Sequence, residues 1–245
     1  CMGKRLVEMG ACDGVGEVYA LHGRPGLPCG TLAASGGAVC AAAAFFSITV
    51  EGRGCHGAMP EEGCNPIPVA GIIAQRISRL HEKVQGEIGA VASVCSLTAG
   101  EGSNAIPDRA TLRGTLRYLR KGDIVGLEQE LRAAAAAAAD GSGAQAVVHV
   151  ERTYELPVVN TPDGIDRLRR AAGLWPQHLE FRPVERPSMA SEDFAYYLAR
   201  TPGALAWLGL GDSPPLHNSA FDFNDAALLP GILALCGLVV NSPLR

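Results

Sequence analysis

The chain has no pair of cysteines spaced Cys-x-x-Cys, which argues against a zinc ribbon or a thioredoxin-type redox motif. It has no excess of basic charge. The formal net charge is −4, which offers no electrostatic footprint for nucleic acid or for an anionic membrane. It also has no uninterrupted apolar stretch of the ~18 residues that a membrane span needs. The nearest low-complexity run, residues 133–139, is alanine with helical flanks. Neither a nucleic-acid nor a membrane partner is therefore expected. With no targeting signal at the start, a cytoplasmic location is expected.

What is present fits a globular protein with a sizeable core. Hydrophobic residues make up 47% of the 245 positions and charged residues 19%, a composition that folds rather than stays disordered. The length allows one large domain or two modest ones. The 8 cysteines are scattered through apolar and glycine-rich segments, which predicts buried, reduced thiols. Residues 1–9 read as a helix already under way, so the chain is expected to begin inside a larger unit.

Hydrophobic periodicity divides the chain. Phe46, Ile48 and Val50 alternate with Ser47, Thr49 and Glu51, the period of a strand with one buried face. Asn65-Pro66 then opens a helix as N-cap and first-turn residue, with Ala70, Ile73, Ala74, Ile77 and Val84 at helical spacing. Residues 90–98 read as a strand. Ala110, Leu112, Gly114, Leu116 and Tyr118 alternate with polar residues in another. Ile124, Leu127, Leu131 and Ala135 line a helix, and Val148 and Val150 mark a last strand. The order β-α-β-β-α-β predicts a ferredoxin-like insert at 45–154. Residues 1–44 and 155–245 read as the two arms of one α/β domain. In them, residues 17–22 form a strand ending in His22, residues 31–44 a strand pair through Ser35-Gly36-Gly37, and Ser191-Glu192-Asp193 the cap of a helix through Phe194 and Tyr197.

The chemistry-bearing candidates follow from this layout. Strand ends are where open α/β sheets place ligands. His22 and His217, both in the α/β part, could therefore supply two imidazoles to a metal. His217 could equally be a turn residue bonding locally. Carboxylates to accompany them are Glu192, Asp193, Asp222 and Asp225, each also placed to cap a helix start. His56, flanked by Gly54 and Gly57, could donate to a developing oxyanion or lie on a solvated loop. Asn104 could touch a substrate or simply satisfy its turn. Arg117, on the polar face of its strand, could bind a carboxylate through its guanidinium fork or share a solvated face with Arg109 and Arg113.

Seven stretches in order carry a resemblance. They are Ala20-Leu21-His22; Leu27-Pro28-Cys29-Gly30; Gly54-Cys55-His56-Gly57-Ala58-Met59-Pro60; Asn104-Ala105-Ile106-Pro107-Asp108; Gly114-Thr115-Leu116-Arg117; Pro187-Ser188-Met189-Ala190-Ser191-Glu192-Asp193-Phe194; and Leu216-His217-Asn218-Ser219. Together they resemble the dinuclear-metal peptidase family of aminoacylases and carboxypeptidases, in the branch of hippurate and auxin-conjugate amidohydrolases. The resemblance implies an α/β catalytic domain with an inserted lid that also makes a homodimer. It implies two divalent ions (zinc, manganese, cobalt or nickel) with His22 and His217 among their ligands. It assigns His56 to the tetrahedral intermediate in the partner subunit's site, and Asn104 and Arg117 to the substrate, an N-acyl amino acid cleaved at its amide by metal-activated water. Two places depart from that branch: Gly23-Arg24 stand where it has Val-Trp, and Glu61-Glu62-Gly63 follow Pro60. The family's Cys-x-His-Asp motif and the Glu-Glu pair that supply its other ligands and general base do not occur ahead of the matched segment. The expectation is a metal-dependent amidohydrolase that is inactive as this chain alone, or alternatively a non-catalytic dimerisation or regulatory protein of that family.

Overall fold

The computed structural model describes residues 2–241. Cys1, and with it the start of the expected first helix, lies outside the described residues. The first arm carries α1 (Met2–Glu8), β1 (Val18–Arg24), β2 (Thr31–Ala33) and β3 (Gly37–Cys40). The middle carries β4 (Ala42–Glu51), β5 (Cys55–His56), α2 (Pro66–Ile88), β6 (Val91–Ala99), β7 (Ala105–Ile106), β8 (Arg109–Tyr118), α3 (Asp123–Ala139) and β9 (Gln145–Tyr154). The second arm carries β10 (Val158–Asn160), α4 (Pro162–Gly173), β11 (Glu180–Arg182), α5 (Ala195–Leu198), β12 (Gly203–Gly209) and α6 (Leu228–Val240). Two compact units result: residues 1–40 with 157–245, and residues 41–156.

The middle unit is an antiparallel sheet in the order β6-β8-β4-β9. The period-2 alternation decides its faces. Ala42, Ala44, Phe46, Ile48 and Val50 of β4, with Ala110, Leu112, Leu116 and Tyr118 of β8, are buried. Against that face lie Val69, Ala70, Ile73, Ile77, Leu80 and Val84 of α2, and Ile124, Leu127, Leu131 and Ala135 of α3. Asn65 Oδ1 accepts the Ile67 N–H at 3.0 Å, and Gly89, at φ 65°, closes the far end of α2. The opposite face of the sheet carries no helix. It presents Phe45, Arg113, Thr115, Arg117 and His149 around a cavity of about 390 Å³.

The other unit is built on a sheet of order β1-β12-β2-β11. β1 runs parallel to β12, β12 antiparallel to β2, and β2 parallel to β11. All seven residues of β12 are buried, so it is the spine of this unit. Leu168, Ala171 and Ala172 of α4 pack with Ala234 and Leu238 of α6 against Leu32, Ala204 and Ala206. Asn160 is a buried staple: its Nδ2 donates to Leu205 O at 2.9 Å and to Ser35 O at 3.1 Å, and its Oδ1 accepts from Leu205 N at 2.8 Å. A buried amide with its groups paired fixes the β10–β12 register where an unpaired one would be costly.

Several local expectations are corrected here. Residues 31–44 are not a strand pair: β2 joins the four-stranded sheet, while β3 pairs with β10. The link between them is held by Ser35 Oγ, which accepts the Val184 N–H at 2.8 Å, so the chain leaves one sheet for another instead of turning back. The helix after Asp193 is a single turn whose N-cap residue, Phe194, makes no side-chain cap. The seven described cysteines are free thiols, but Cys40 alone among them is buried. No helix among the described residues is long and apolar enough to cross a membrane.

Candidate active site

The parallel β1–β12 ladder sets His22 opposite Trp207. Their rings meet edge-on with centroids 5.2 Å apart. The strand does not end at His22, as read from the sequence, but runs on to Arg24. Residues two apart share a strand face, and the Arg24 guanidinium indeed lies 5.0 Å from the centroid of the same indole. His22 Nδ1 is 2.9 Å from Gly23 O. A carbonyl can only accept, so Nδ1 carries the proton and Nε2 keeps its lone pair. That lone pair belongs to the atom nearest Glu192, whose Oε2 is 3.9 Å from Nε2.

Glu192 is the residue whose part is least legible in the sequence. Within Ser-Glu-Asp it reads as a helix cap, and one oxygen does serve the backbone, with Oε1 accepting the Phe194 N–H at 3.3 Å. The other oxygen faces the imidazole. Asp193 turns elsewhere and accepts the Gly3 N–H at 2.6 Å.

The His22–Glu192 pair has the chemistry of a divalent-cation half-site. Two donors each about 2.1 Å from one tetrahedral zinc ion stand about 3.4 Å apart, so the 3.9 Å between Nε2 and Oε2 has to close by about half an ångström to hold one. The Nδ1 bond to Gly23 O is the kind of outer contact that fixes the tautomer of a ligand histidine. His217 lies in an exposed turn at φ 66°, the sole left-handed non-glycine residue among those described. Asn218 holds that turn, its N–H donating to Pro215 O at 3.1 Å and its Oδ1 accepting from Ala220 N at 2.9 Å. Among the described residues no three His, Cys, Asp or Glu side chains form a group that could hold a metal ion, so His217 does not complete one with His22 and Glu192. Asp222 and Asp225 join no such group either. Asn224, not Asp225, caps the turn before α6, accepting the Ala226 N–H.

His56 and Asn104 are brought together on the other unit. β5 and β7 form a two-residue antiparallel ribbon that pairs His56 with Ala105. Gly57 N then donates to Asn104 O at 2.8 Å. A side chain at 57 would press on the Asn104 backbone, an added Cβ standing 3.1 Å from it, so glycine is needed for this approach. Asp108 braces the same loop by accepting the Gly54 N–H at 2.7 Å. His56 Nδ1 accepts the Ala58 N–H at 3.1 Å, which leaves its proton on Nε2. The two histidines therefore hold opposite tautomers: His22 offers a lone pair at Nε2, and His56 offers an N–H there. Arg117 stands apart from that ribbon, on the open face of the sheet. Its Nε donates to Thr115 Oγ1 at 2.9 Å and its guanidinium lies 5.6 Å from the Phe45 centroid. Partial burial draws its pKa below the ordinary arginine value.

Cys40 lies near this half-site but is no nucleophile. Burial first, and the Glu192 carboxylate second, push its thiol up to about 12 from 9.0, with Arg24 opposing. Between those values the folded protein keeps a proton that the unfolded chain has lost. Stability is then complete below pH 9 and falls as pH rises towards 12. Urea titrations at pH 8 and pH 10.5 should show a loss of about 2 kcal/mol from this group. Cys40→Ala should be less stable at pH 8 but should lose markedly less over that interval. An equal loss in both proteins would refute the assignment.

Residues 42–142 match a family model described as a peptidase dimerisation domain, that of the M20 peptidases. The chain is 33% identical over 240 residues to the N-acetyldiaminopimelate deacetylase of Leuconostoc mesenteroides, an alignment covering 95% of this chain and 61% of that protein. It is 31% identical over 227 residues to the N-acetylcysteine deacetylase of Bacillus subtilis, covering 92% and 58%. A Bacillus subtilis structure described as a dinuclear metal-binding peptidase of the M20 family superposes with a TM-score of 0.79 at 28% identity, covering 97% of this chain and 60% of that one. The chain thus spans about three fifths of the length of the curated relatives it matches. Residues 42–142 thus match a peptidase dimerisation domain, in a chain that is similar along almost all of its length to a dinuclear metal-binding peptidase of the M20 family.

Proposed function

We propose that this protein is a metal-dependent amidohydrolase that removes the acyl group from small N-acyl amino acids, of the kind named for its relatives, N-acetyldiaminopimelate and N-acetylcysteine. The observation that carries this is His22, its Nδ1 committed to Gly23 O and its Nε2 set against the Glu192 carboxylate. Such a pair suits zinc, manganese, cobalt or nickel; His217, outside any metal-holding group among the described residues, is not counted among its ligands. When bound, a divalent ion there would polarise the amide carbonyl and lower the pKa of water.

The chain's own residues supply the remaining tasks. His22 Nε2 and Glu192 Oε2 hold the cation. His56, fixed as the Nε2–H tautomer by Ala58, donates to the oxygen that becomes negative as the amide is attacked in the partner subunit's site. Asn104, zipped to the His56 loop through Gly57, orients the acyl group. Arg117, planar and partly desolvated, takes the α-carboxylate. A homodimer through residues 42–142 is part of the same proposal.

The test is release of acetate from N-acetylcysteine and N-acetyldiaminopimelate with added manganese, cobalt or zinc, compared with EDTA-treated protein. It is measured on this chain joined to a segment that carries the Cys-x-His-Asp motif and the Glu-Glu pair. His56→Ala should lower kcat by about 10²–10³ with a smaller change in KM, the mark of a donor used mainly in the transition state. No metal-dependent release from either substrate, or an undiminished kcat in His56→Ala, would rule the proposal out.

A further inference from the structure

The sheet of the α/β unit has two unlike faces. Leu21, Ala206, Leu32 and Phe181 lie on the one that α4 and α6 cover. On the other, His22, Trp207, Ala33 and Arg182 are partners in one unbroken row across β1, β12, β2 and β11, on strands about 4.8 Å apart. Arg24, two residues beyond His22, shares that face and lies against the same indole. Ala33 is the small side chain of the row and leaves a hollow between the indole and Arg182. The hollow belongs to a cavity of about 450 Å³, lined also by Glu185 and Arg186, that no step of the proposed hydrolysis uses.

The charges in this cavity are unevenly matched. Arg182 is bonded to Glu180 at 2.7 Å. Arg24 and Arg186 have no carboxylate within ion-pair distance among the described residues, and Glu185 is the one acid in the lining. A guanidinium lying against an indole is partly pre-organised and keeps its N–H edge free for an acceptor. A carboxylate fills one such fork with its two oxygens. A phosphate dianion brings a second charge and a third oxygen, enough to engage two forks at once. The surplus of cations therefore favours the dianion.

We propose that this cavity binds the phosphoryl group of a small anionic ligand, either free phosphate or a phosphate monoester, between Arg24 and Arg186 with Arg182 at its flank. The site lies wholly within the α/β unit. It requires neither a metal ion nor an N-acyl amino acid, so it stands apart from the amidohydrolase reading.

The test uses EDTA-treated, metal-free protein, so that phosphate has no bound cation to ligate. Inorganic phosphate at pH 8 is titrated by calorimetry, and by tryptophan fluorescence in a Trp175→Phe background that leaves Trp207 as the only indole. Phosphate should bind with a Kd below about 1 mM, perturb Trp207 emission, and bind at least about tenfold more tightly than acetate. Glycerol 3-phosphate binding equally well would identify a monoester site; its exclusion would mark free phosphate as the ligand. Arg24→Gln should weaken phosphate about tenfold and Arg186→Gln about threefold or more. Arg24→Lys should retain part of the affinity, and Glu185→Gln should raise it. No saturable binding below about 10 mM, acetate binding as tightly as phosphate, or undiminished affinity in a folded Arg24→Gln protein would each overturn the site. Absence of metal-dependent hydrolysis would leave it standing, and failure of phosphate to bind would leave the amidohydrolase reading untouched.

Discussion

His22→Ala is expected to lower metal-dependent hydrolysis by at least about 10³-fold, the scale of losing a principal stabiliser of transition-state charge. The same change should weaken binding of cobalt(II), followed by its visible absorption, so the prediction does not depend on turnover alone. Glu192→Gln keeps the shape and the Phe194 contact but removes the charge, and should cost less, about 10–100-fold in metal affinity. The order of the two effects carries the argument. Nε2 is left with a free lone pair by the Gly23 bond, whereas Glu192 divides its oxygens between the Phe194 N–H and the imidazole. His22 sits on a half-buried strand beside Trp207, so thermal unfolding must be measured alongside. Cobalt binding unchanged in a folded His22→Ala protein would show that the half-site holds no ion.

Much of the middle unit is legible because its elements are long. β4, β8 and β9 each span ten residues, enough for a period of two to stand out, and the 23 residues of α2 repeat a helical stripe several times. The long elements, β4-α2-β6-β8-α3-β9, are consistent with the β-α-β-β-α-β order read from those periods, with the two-residue β5 and β7 added between them. The α/β unit is harder. β2, β10 and β11 have three residues each, too few for any period. What fixes them is long-range, such as the Asn160 amide reaching Leu205 and Ser35. The site divides in the same way. His22, His56, Asn104 and Arg117 are picked out by local composition and motif. The approach of Glu192 to His22 joins residues 170 positions apart, and no local pattern encodes it. The tautomers are equally hidden, since they depend on whether a carbonyl or an N–H of the neighbouring backbone faces Nδ1.

Gly114→Ala should strongly destabilise the middle unit, costing about 3 kcal/mol or more. Alternation alone puts Gly114 on the core face of β8, where a larger apolar residue would be the ordinary choice. The structure explains why no side chain stands there. A Cβ would overlap the Ser93 carbonyl oxygen and the tip of the Phe46 ring. Ser93 O is backbone of the adjacent strand, next to the irregularity between Val94 and Ser96 where the β6–β8 register shifts. Backbone in the middle of a ladder cannot give way cheaply, and Phe46, 3% exposed, is held by the core on its other side. Overpacking of this kind usually costs 1–3 kcal/mol; two obstructions, one of them backbone, place this site at or above that range. Gly126 supplies the opposite case. It lies within α3 with nothing near its added Cβ, so Gly126→Ala should stabilise by about 0.5–1 kcal/mol through helix propensity and a less flexible unfolded chain. Urea unfolding of both variants decides the matter. If Gly114→Ala fell within about 0.5 kcal/mol of the unaltered protein, the Phe46 ring would have to be free to withdraw, and the close approach of β6 to β8 would not be what demands glycine.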